Sequence, residues 1–301
     1  MKRITLIELE KDFEVPEMWD ELTPAQVRFV FQQWSEQAHK DMRLFYSRLL
    51  DCFLLDTQKP KSGAARRWSP YSIELAQVLF SFLMQETNKG IALDYPCVEN
   101  HLPYLHFKHR FLGWQSYVGA DSLLGDLTFA EFDQANKELQ QYATGSPDNL
   151  YRFIACLYRP VDKMEKAKGI IKPVPFDEKQ LDYFAGIIKK NIGDMWKLDM
   201  IAAWYANCVR YIQEEDINID GNTYNFGVLF KSTQSEEITE NSEINNLGWY
   251  PVLYAFAEDG IFGNLKETYN TPLFDMLRLM LHKYNEGKRI KKEYEKINNK
   301  H

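Results

Sequence analysis

The strongest constraint on the fold is a helix start signal that occurs twice in the sequence. Leu22-Thr23-Pro24-Ala25-Gln26 and Leu127-Thr128-Phe129-Ala130-Glu131 each place a threonine three positions before a residue whose side chain can return a hydrogen bond. This is the pattern of a capping box, in which two side chains satisfy backbone amides of the first helical turn. Apolar residues follow each box at spacings of three and four. Each box therefore predicts the start of an amphipathic helix.

Patterns of the same kind run along most of the chain and predict a mainly α-helical fold. The chain has only 15 glycines and 12 prolines, which favours long helices. We expect two subdomains of amphipathic helices with at most a small β hairpin, whose turn is Asp220-Gly221. The predicted boundaries are 1–88 for the N-terminal helical subdomain, 89–126 for an irregular connector, 127–290 for the C-terminal helical domain with a polar loop over 231–245, and 291–301 for a basic tail.

The charge balance limits which partners the chain can attract, and the cysteines indicate its cellular compartment. The formal net charge is −7, from 43 acidic and 36 basic residues, so no general field attracts nucleic acid or an anionic membrane. The four cysteines lie far apart and fit the reduced thiols of a cytosolic protein. No apolar stretch approaches the roughly 20 residues of a membrane span. We therefore expect a cytoplasmic protein without a membrane partner.

One short segment concentrates residues that could bind a metal ion, namely Cys97, His101, His106 and His109. Four such groups can close a tetrahedral zinc site, but their spacing fits no usual zinc finger, which takes two pairs of ligands from separate segments. We therefore expect histidines that are solvated or hydrogen-bonded in a loop, with no metal and no cofactor. A metal-dependent enzyme that uses this cluster is the alternative.

The sequence contains no nucleophile or phosphate-binding motif of a known enzyme class. It is, however, rich in large rings, with 19 Phe, 7 Trp and 17 Tyr, which build either a core or an adhesive surface. Those that fall outside the helical patterns are our candidates for contact with another protein: Trp68, Tyr71, Tyr104, Phe107 and Trp114. A nucleic-acid-binding accessory factor, using Arg66, Arg67 and the basic tail, is a further alternative.

The second capping box belongs to a longer pattern. Leu127-Thr128-Phe129-Ala130-Glu131-Phe132 is followed by Asn149-Leu150-Tyr151 and by Leu157-Tyr158-Arg159-Pro160. Together these segments resemble a poorly characterised family of helical proteins from tailed phages and prophages of Bacteroidetes-type bacteria, with the pattern L-T-[FY]-x-E-[FY], a helix, and L-Y-R-P. The resemblance covers roughly Leu124 to Lys283, about half of the chain.

This resemblance implies a non-enzymatic factor in tail morphogenesis, either like a tail assembly chaperone or a minor tail protein. Its partners would be other phage tail or morphogenesis proteins in the host cytosol, and it would in some cases enter the virion. The family supplies no catalytic residue. Its motif residues have a structural role in this sequence: Thr128 and Glu131 begin one helix, and Arg159 and Pro160 end its partner.

Overall fold

The computed structural model describes residues 1–6, 11–38, 40–55, 68–88, 90–109, 113–231 and 250–298. Most of the expected polar loop over 231–245 lies outside these ranges. The α-helices of the described ranges are α1 (Pro24–Gln33), α2 (Met42–Leu55), α3 (Pro70–Leu79), α4 (Phe129–Ala143), α5 (Asn149–Leu157), α6 (Lys163–Ala167), α7 (Leu181–Asn191), α8 (Met195–Glu214), α9 (Gly227–Lys231), α10 (Tyr250–Glu258), α11 (Leu265–Tyr269) and α12 (Leu273–Asn298). The expectation of a mainly α-helical fold is therefore partly consistent with the structure.

The expectation of at most a small β hairpin is wrong. Across its described ranges the chain has nine strands in four separate sheets. They are β1 (Lys2–Leu6) with β2 (Lys11–Val15), β3 (Met84–Thr87) with β4 (Gly90–Leu93), β5 (Tyr104–His109) with β6 (Gly113–Gly119) and β7 (Tyr158–Pro160), and β8 (Asp216–Ile219) with β9 (Asn222–Asn225). Only β8 and β9 coincide with the predicted hairpin; the other seven strands lie within the segments predicted as the N-terminal helical subdomain, the connector and the C-terminal helical domain.

The connector predicted over 89–126 shows why its strands are hard to recognise. Along β5 the side chains alternate, with Tyr104 and His106 exposed and Leu105 and Phe107 buried. A strand is usually recognised by polar residues on one face and apolar residues on the other. Here apolar Leu105 and Phe107 alternate with His106 and Lys108, but the alternation is short and lies among prolines and glycines that favour an irregular segment.

Short-range signals predicted other elements correctly. Both capping boxes form: Thr23 pairs with Gln26 at the start of α1, and Thr128 pairs with Glu131 at the start of α4. The turn between β8 and β9 places Asp220 at φ 53° and Gly221 at φ 79°. Positive φ at both central residues is the geometry of a tight hairpin turn, and aspartate followed by glycine adopts it readily.

The described residues form two compact units, each built from three segments of the chain. Unit 1 comprises Met1–Gly119, Pro160–Pro173 and Gly186–Asn207, and unit 2 comprises Ala120–Arg159, Val174–Ala185 and Cys208–His301.

The core of unit 1 is aromatic. Trp19, Phe31 and Tyr95 pack edge to face or tilted, with ring centroids 5.0 to 6.2 Å apart. Such arrangements bring the positive edge of one ring towards the negative face of another. The loop that carries Tyr95 is fastened to α8, because the Trp204 indole donates to the carbonyl of Val98 at 2.9 Å.

Unit 2 is organised by a buried ion pair between Glu131 and Arg159. One oxygen of Glu131 accepts from the backbone N–H of Thr128 at 2.6 Å and from its hydroxyl at 2.8 Å, and the other pairs with Arg159. Arg159 also donates to the carbonyl oxygens of Val174 at 2.8 Å and Cys156 at 2.7 Å. A buried charge is tolerated when its hydrogen-bonding capacity is met in this way.

The same helix start is tied to the last helix of the chain. The backbone N–H of Phe129 donates to the carbonyl of Thr271 at 2.9 Å, and that of Leu273 donates to the carbonyl of Leu127 at 2.8 Å. These bonds hold the first turn of α12 beside the first turn of α4. The motif residues of the sequence therefore form the structural centre of unit 2, as their helix-capping chemistry indicates.

We predict that Glu131→Ala strongly destabilises unit 2. The substitution removes the cap of α4 and leaves the Arg159 guanidinium buried without a counter-charge, which costs about 3–5 kcal/mol. Urea unfolding followed by circular dichroism measures the loss. The matched control is Lys168→Ala, which removes an exposed ion pair with Glu165 and should cost about 1 kcal/mol or less. Equal losses in the two variants would contradict the assignment.

Candidate functional site

The five rings selected from the sequence do not share one surface. Trp68 and Phe107 are buried, and the Trp68 indole donates to Asp51 at 3.0 Å. Tyr71 is 66% exposed at the start of α3, Tyr104 is 39% exposed, and Trp114 is 73% exposed. Only Tyr71, Tyr104 and Trp114 thus offer substantial ring surface for contact.

Two of these exposed rings lie on one face of the β5–β6 hairpin. Residues paired across an antiparallel ladder point to the same side, as do alternate residues along a strand. The pairs Tyr104 with Val118, His106 with Ser116, and Lys108 with Trp114 therefore place Tyr104, His106 and Trp114 on one face. The rings of Tyr104 and His106 are stacked, with centroids 6.1 Å apart and planes 16° from parallel. The His106 Nδ1 lies 3.0 Å from the Ser116 hydroxyl, which fixes the imidazole on this face.

A pocket of about 390 Å³ lies along β5, within unit 1. Its walls are His106 and its two neighbours on β5, Trp114 on β6, and the loop between α7 and α8. Around that loop lie Asn191 at the end of α7, Asp194 in the loop itself and Lys197 in the first turn of α8. The volume falls within the 300–1,000 Å³ that is usual for small-molecule sites.

The polar groups of the pocket are held in place by local bonds. The amide nitrogen of Asn191 donates to the carbonyl of Ile187 at 2.7 Å, at the end of α7. The Lys197 ammonium forms an ion pair with Asp194 at 2.7 Å and lies 5.5 Å from the centre of the Trp196 ring. The two charged side chains of the pocket therefore compensate each other. We did not select Asn191, Asp194 and Lys197 from the sequence, because they lie some eighty positions after the hairpin that they face.

The structure separates the Cys/His cluster into different environments. Cys97 is buried, and burial raises the pKa of its thiol to about 12. His106 is exposed on the hairpin, and the side chain of His109 lies outside the described residues. Within the described parts of the chain, no three histidine, cysteine or acidic side chains come together as a metal site would require. The metal-dependent alternative therefore gains no geometric support from the residues that are described.

His101 has a structural environment. It is buried, its Nδ1 lies 2.6 Å from the Tyr95 hydroxyl, and its backbone carbonyl accepts from Arg28 at 2.9 Å. Burial lowers the pKa of the imidazole, although the nearby Glu99 opposes this effect. Its Nε2 lies 3.6 Å from Glu99, and the direction of the bond between Nδ1 and the Tyr95 hydroxyl depends on which ring nitrogen carries the proton.

The basic candidates are only partly described, since Arg66 and Arg67 lie outside the described residues. The expected basic tail over 291–301 continues α12, which is helical as far as Asn298. The N-terminal half of α12 buries Leu273, Met276, Leu277 and Met280, whereas every described residue from Gly287 onward is exposed.

The exposed end of α12 has an apolar face that we did not select from the sequence. Ile290, Tyr294 and Ile297 are spaced by four and three, which places them on one side of the helix. Lys288, Lys292 and Lys296 are spaced by four and lie on the opposite side. We call the first set the apolar seam. Its spacing is present in the sequence, but it is hidden among many charged residues.

No protein-family model matches the chain, and no curated protein and no solved structure matches it. Among the helices of the described ranges, none combines the length and the apolar character that crossing a bilayer requires.

We predict that His101 makes the stability of unit 1 dependent on pH. Because the pKa of His101 is lower in the folded chain, the unfolded chain binds the proton more readily as pH falls towards its unfolded pKa near 6.5. Folding is therefore weakened in acid, by up to about 1.4 kcal/mol per pH unit for one proton.

The free energy of unfolding of the wild type and of His101→Gln, measured by urea titration between pH 7.5 and pH 5, tests this prediction. All other titrating groups are common to both chains. We expect the wild type to lose more stability than the variant over this interval. A wild-type curve with the same slope as that of the variant would show that His101 does not contribute.

Proposed function

We propose that this chain is a non-enzymatic binding protein that acts by contact with another protein, and that the exposed end of α12 is a contact surface. The observation that carries the proposal is the apolar seam of Ile290, Tyr294 and Ile297 on a helical segment that no other described residue covers. The resemblance to the phage tail family supplies the biological setting, which is tail morphogenesis.

Helix energetics supports a partner for this segment. The exposed segment continues α12, and most helical stability in proteins comes from packing an apolar face. The seam leaves three large side chains in solvent, and Tyr294 is 65% exposed. Packing them into a groove or against a helix of another protein would supply the missing burial.

The shape and charge of the segment favour a protein partner over a membrane surface. The seam is one residue wide, as in contacts between two helices, whereas helices that lie on a bilayer have a broad apolar face. Glu286, Glu293 and Glu295 are interspersed among the lysines, which weakens attraction to anionic lipid. The lysines of the opposite face keep the helix solvated while the seam is occupied.

We predict that the double variant Ile290→Asp, Tyr294→Asp loses binding to its partner. The full chain, carrying an affinity tag, would be co-expressed with each protein encoded beside its gene, and complexes would be quantified after purification. We expect a loss of about tenfold or more, because buried anchors of an interface carry most of its energy.

The control is Tyr183→Asp, which alters a ring of matched exposure, 66%, elsewhere in unit 2. This variant should retain binding within about twofold. Two results would overturn the proposal: folded wild-type chain that captures none of the neighbouring proteins, or a double variant that binds as well as the wild type. Light scattering of the free chain adds a check, since a dimer lost in the double variant would assign the seam to self-association.

A further inference from the structure

We propose that the pocket beside β5 in unit 1 binds a neutral saccharide. The inference is independent of the proposed function, because it concerns a different unit and a different surface. The pocket of about 390 Å³ has an exposed indole at its wall, polar side chains that are already oriented, and no unbalanced charge among its described carboxylate and ammonium groups.

Trp114 provides the apolar component of the site. Its side chain is 73% exposed and lines the wall of the pocket, so its ring is accessible to a ligand there. The face of an indole is a flat surface with a negative quadrupole, and it attracts groups with a partial positive charge. The C–H groups on one face of a pyranose ring present such a surface. An exposed tryptophan beside a polar pocket therefore suits a sugar ring better than it suits a purely apolar ligand.

Asn191, Asp194 and Lys197 provide the polar component. An amide, a carboxylate and an ammonium group include both donors and acceptors, and a sugar hydroxyl can act in both ways. The local bonds of Asn191 and Lys197 hold these groups before any ligand arrives. Pre-arranged polar groups lower the entropy cost of binding.

The position of β5 adds backbone groups to the same surface. The sheet has the order β5-β6-β7, so β5 is an edge strand. Edge strands present backbone donors and acceptors outward, and these are suited to hydroxyl groups. The loop between α7 and α8 also lines the pocket. The volume of the pocket accommodates a small ligand, whereas a peptide strand of six residues paired along β5 would not fit.

A nucleic acid base would also stack on an indole, but the charges of the pocket and of the chain favour a saccharide over it. Stretches of nucleic acid bring phosphates, which require uncompensated basic groups. The Lys197 ammonium is paired with Asp194 at 2.7 Å, and the chain as a whole has a net charge of −7. A neutral sugar meets neither obstacle.

The test uses the full chain and a panel of defined probes: glucose, galactose, mannose and N-acetylglucosamine, together with cellobiose and chitobiose. Saturation-transfer NMR identifies which probe contacts the protein, and calorimetric titration measures its affinity. Oligothymidine and an uncharged extended peptide are included as competing ligand classes. We expect at least one saccharide of the panel to bind, and neither competitor to displace it.

Variants decide whether the binding site is this pocket. We expect Trp114→Ala to weaken saccharide binding about tenfold, and Trp114→Phe to weaken it less, because a smaller ring still stacks. Asp194→Asn keeps the volume but removes the charge, and it should also weaken binding. Tyr71→Ala alters a ring of the same unit that is 66% exposed and distant in sequence from the pocket, and it should leave binding within about twofold.

Three results would overturn the inference. They are no saccharide binding up to tens of millimolar by folded wild-type chain, saccharide binding that is unchanged in Trp114→Ala, and Trp114-dependent binding of oligothymidine or peptide in place of saccharide. The α12 double variant should bind saccharide as the wild type does. Loss of the protein partner in the double variant, with saccharide binding kept, would therefore be distinguishable from a failure of the saccharide site.

Discussion

Glu131 performs two tasks at one position, and the arrangement of unit 2 depends on both. Its carboxylate satisfies the otherwise unpaired amide at the start of α4, and it neutralises the buried guanidinium of Arg159. A buried guanidinium needs acceptors on several sides, and Arg159 obtains two more from the carbonyls of Cys156 and Val174. The pair thereby connects the start of one helix, the end of the next and the segment that follows β7. The motif that begins α4 and ends α5 thus fixes backbone segments, and its residues are placed for structure rather than for chemistry.

Aromatic side chains contribute to both the core and the surface. Many rings on helices face inward, as Phe45, Phe129 and Phe132 do, whereas Tyr71, Tyr183 and Tyr294 are exposed. On a strand, neighbouring residues point to opposite faces, so a run of large rings must expose some of them. The β5–β6 hairpin is such a run: it buries Phe107 and Tyr117 and exposes Tyr104 and Trp114. An aromatic surface therefore follows from placing an aromatic-rich segment in a two-sided sheet.

The two proposed binding surfaces use different physical means. The seam of α12 offers apolar area on a regular element and requires a partner with a complementary groove or helix. The pocket of unit 1 offers oriented polar groups beside one ring, which is suited to a small polar ligand. The two proposals therefore assign a protein contact to α12 and a small-ligand site to unit 1.

Features that depend on a few neighbouring residues were determined by the sequence alone. The capping boxes at Thr23 and Thr128 and the turn at Asp220-Gly221 form as predicted, because the atoms that define them lie within about four residues of one another. The same locality made Tyr104 and Trp114 recognisable as rings outside the helices. The tertiary structure alone decided which rings are buried. The buried Trp68 indole donates to Asp51, and Phe107 is buried because of the face of the sheet to which it points. It also decided the pocket, because Asn191, Asp194 and Lys197 reach Trp114 only through folding. Contacts between residues distant in sequence depend on the packing of whole elements, and no local pattern encodes them.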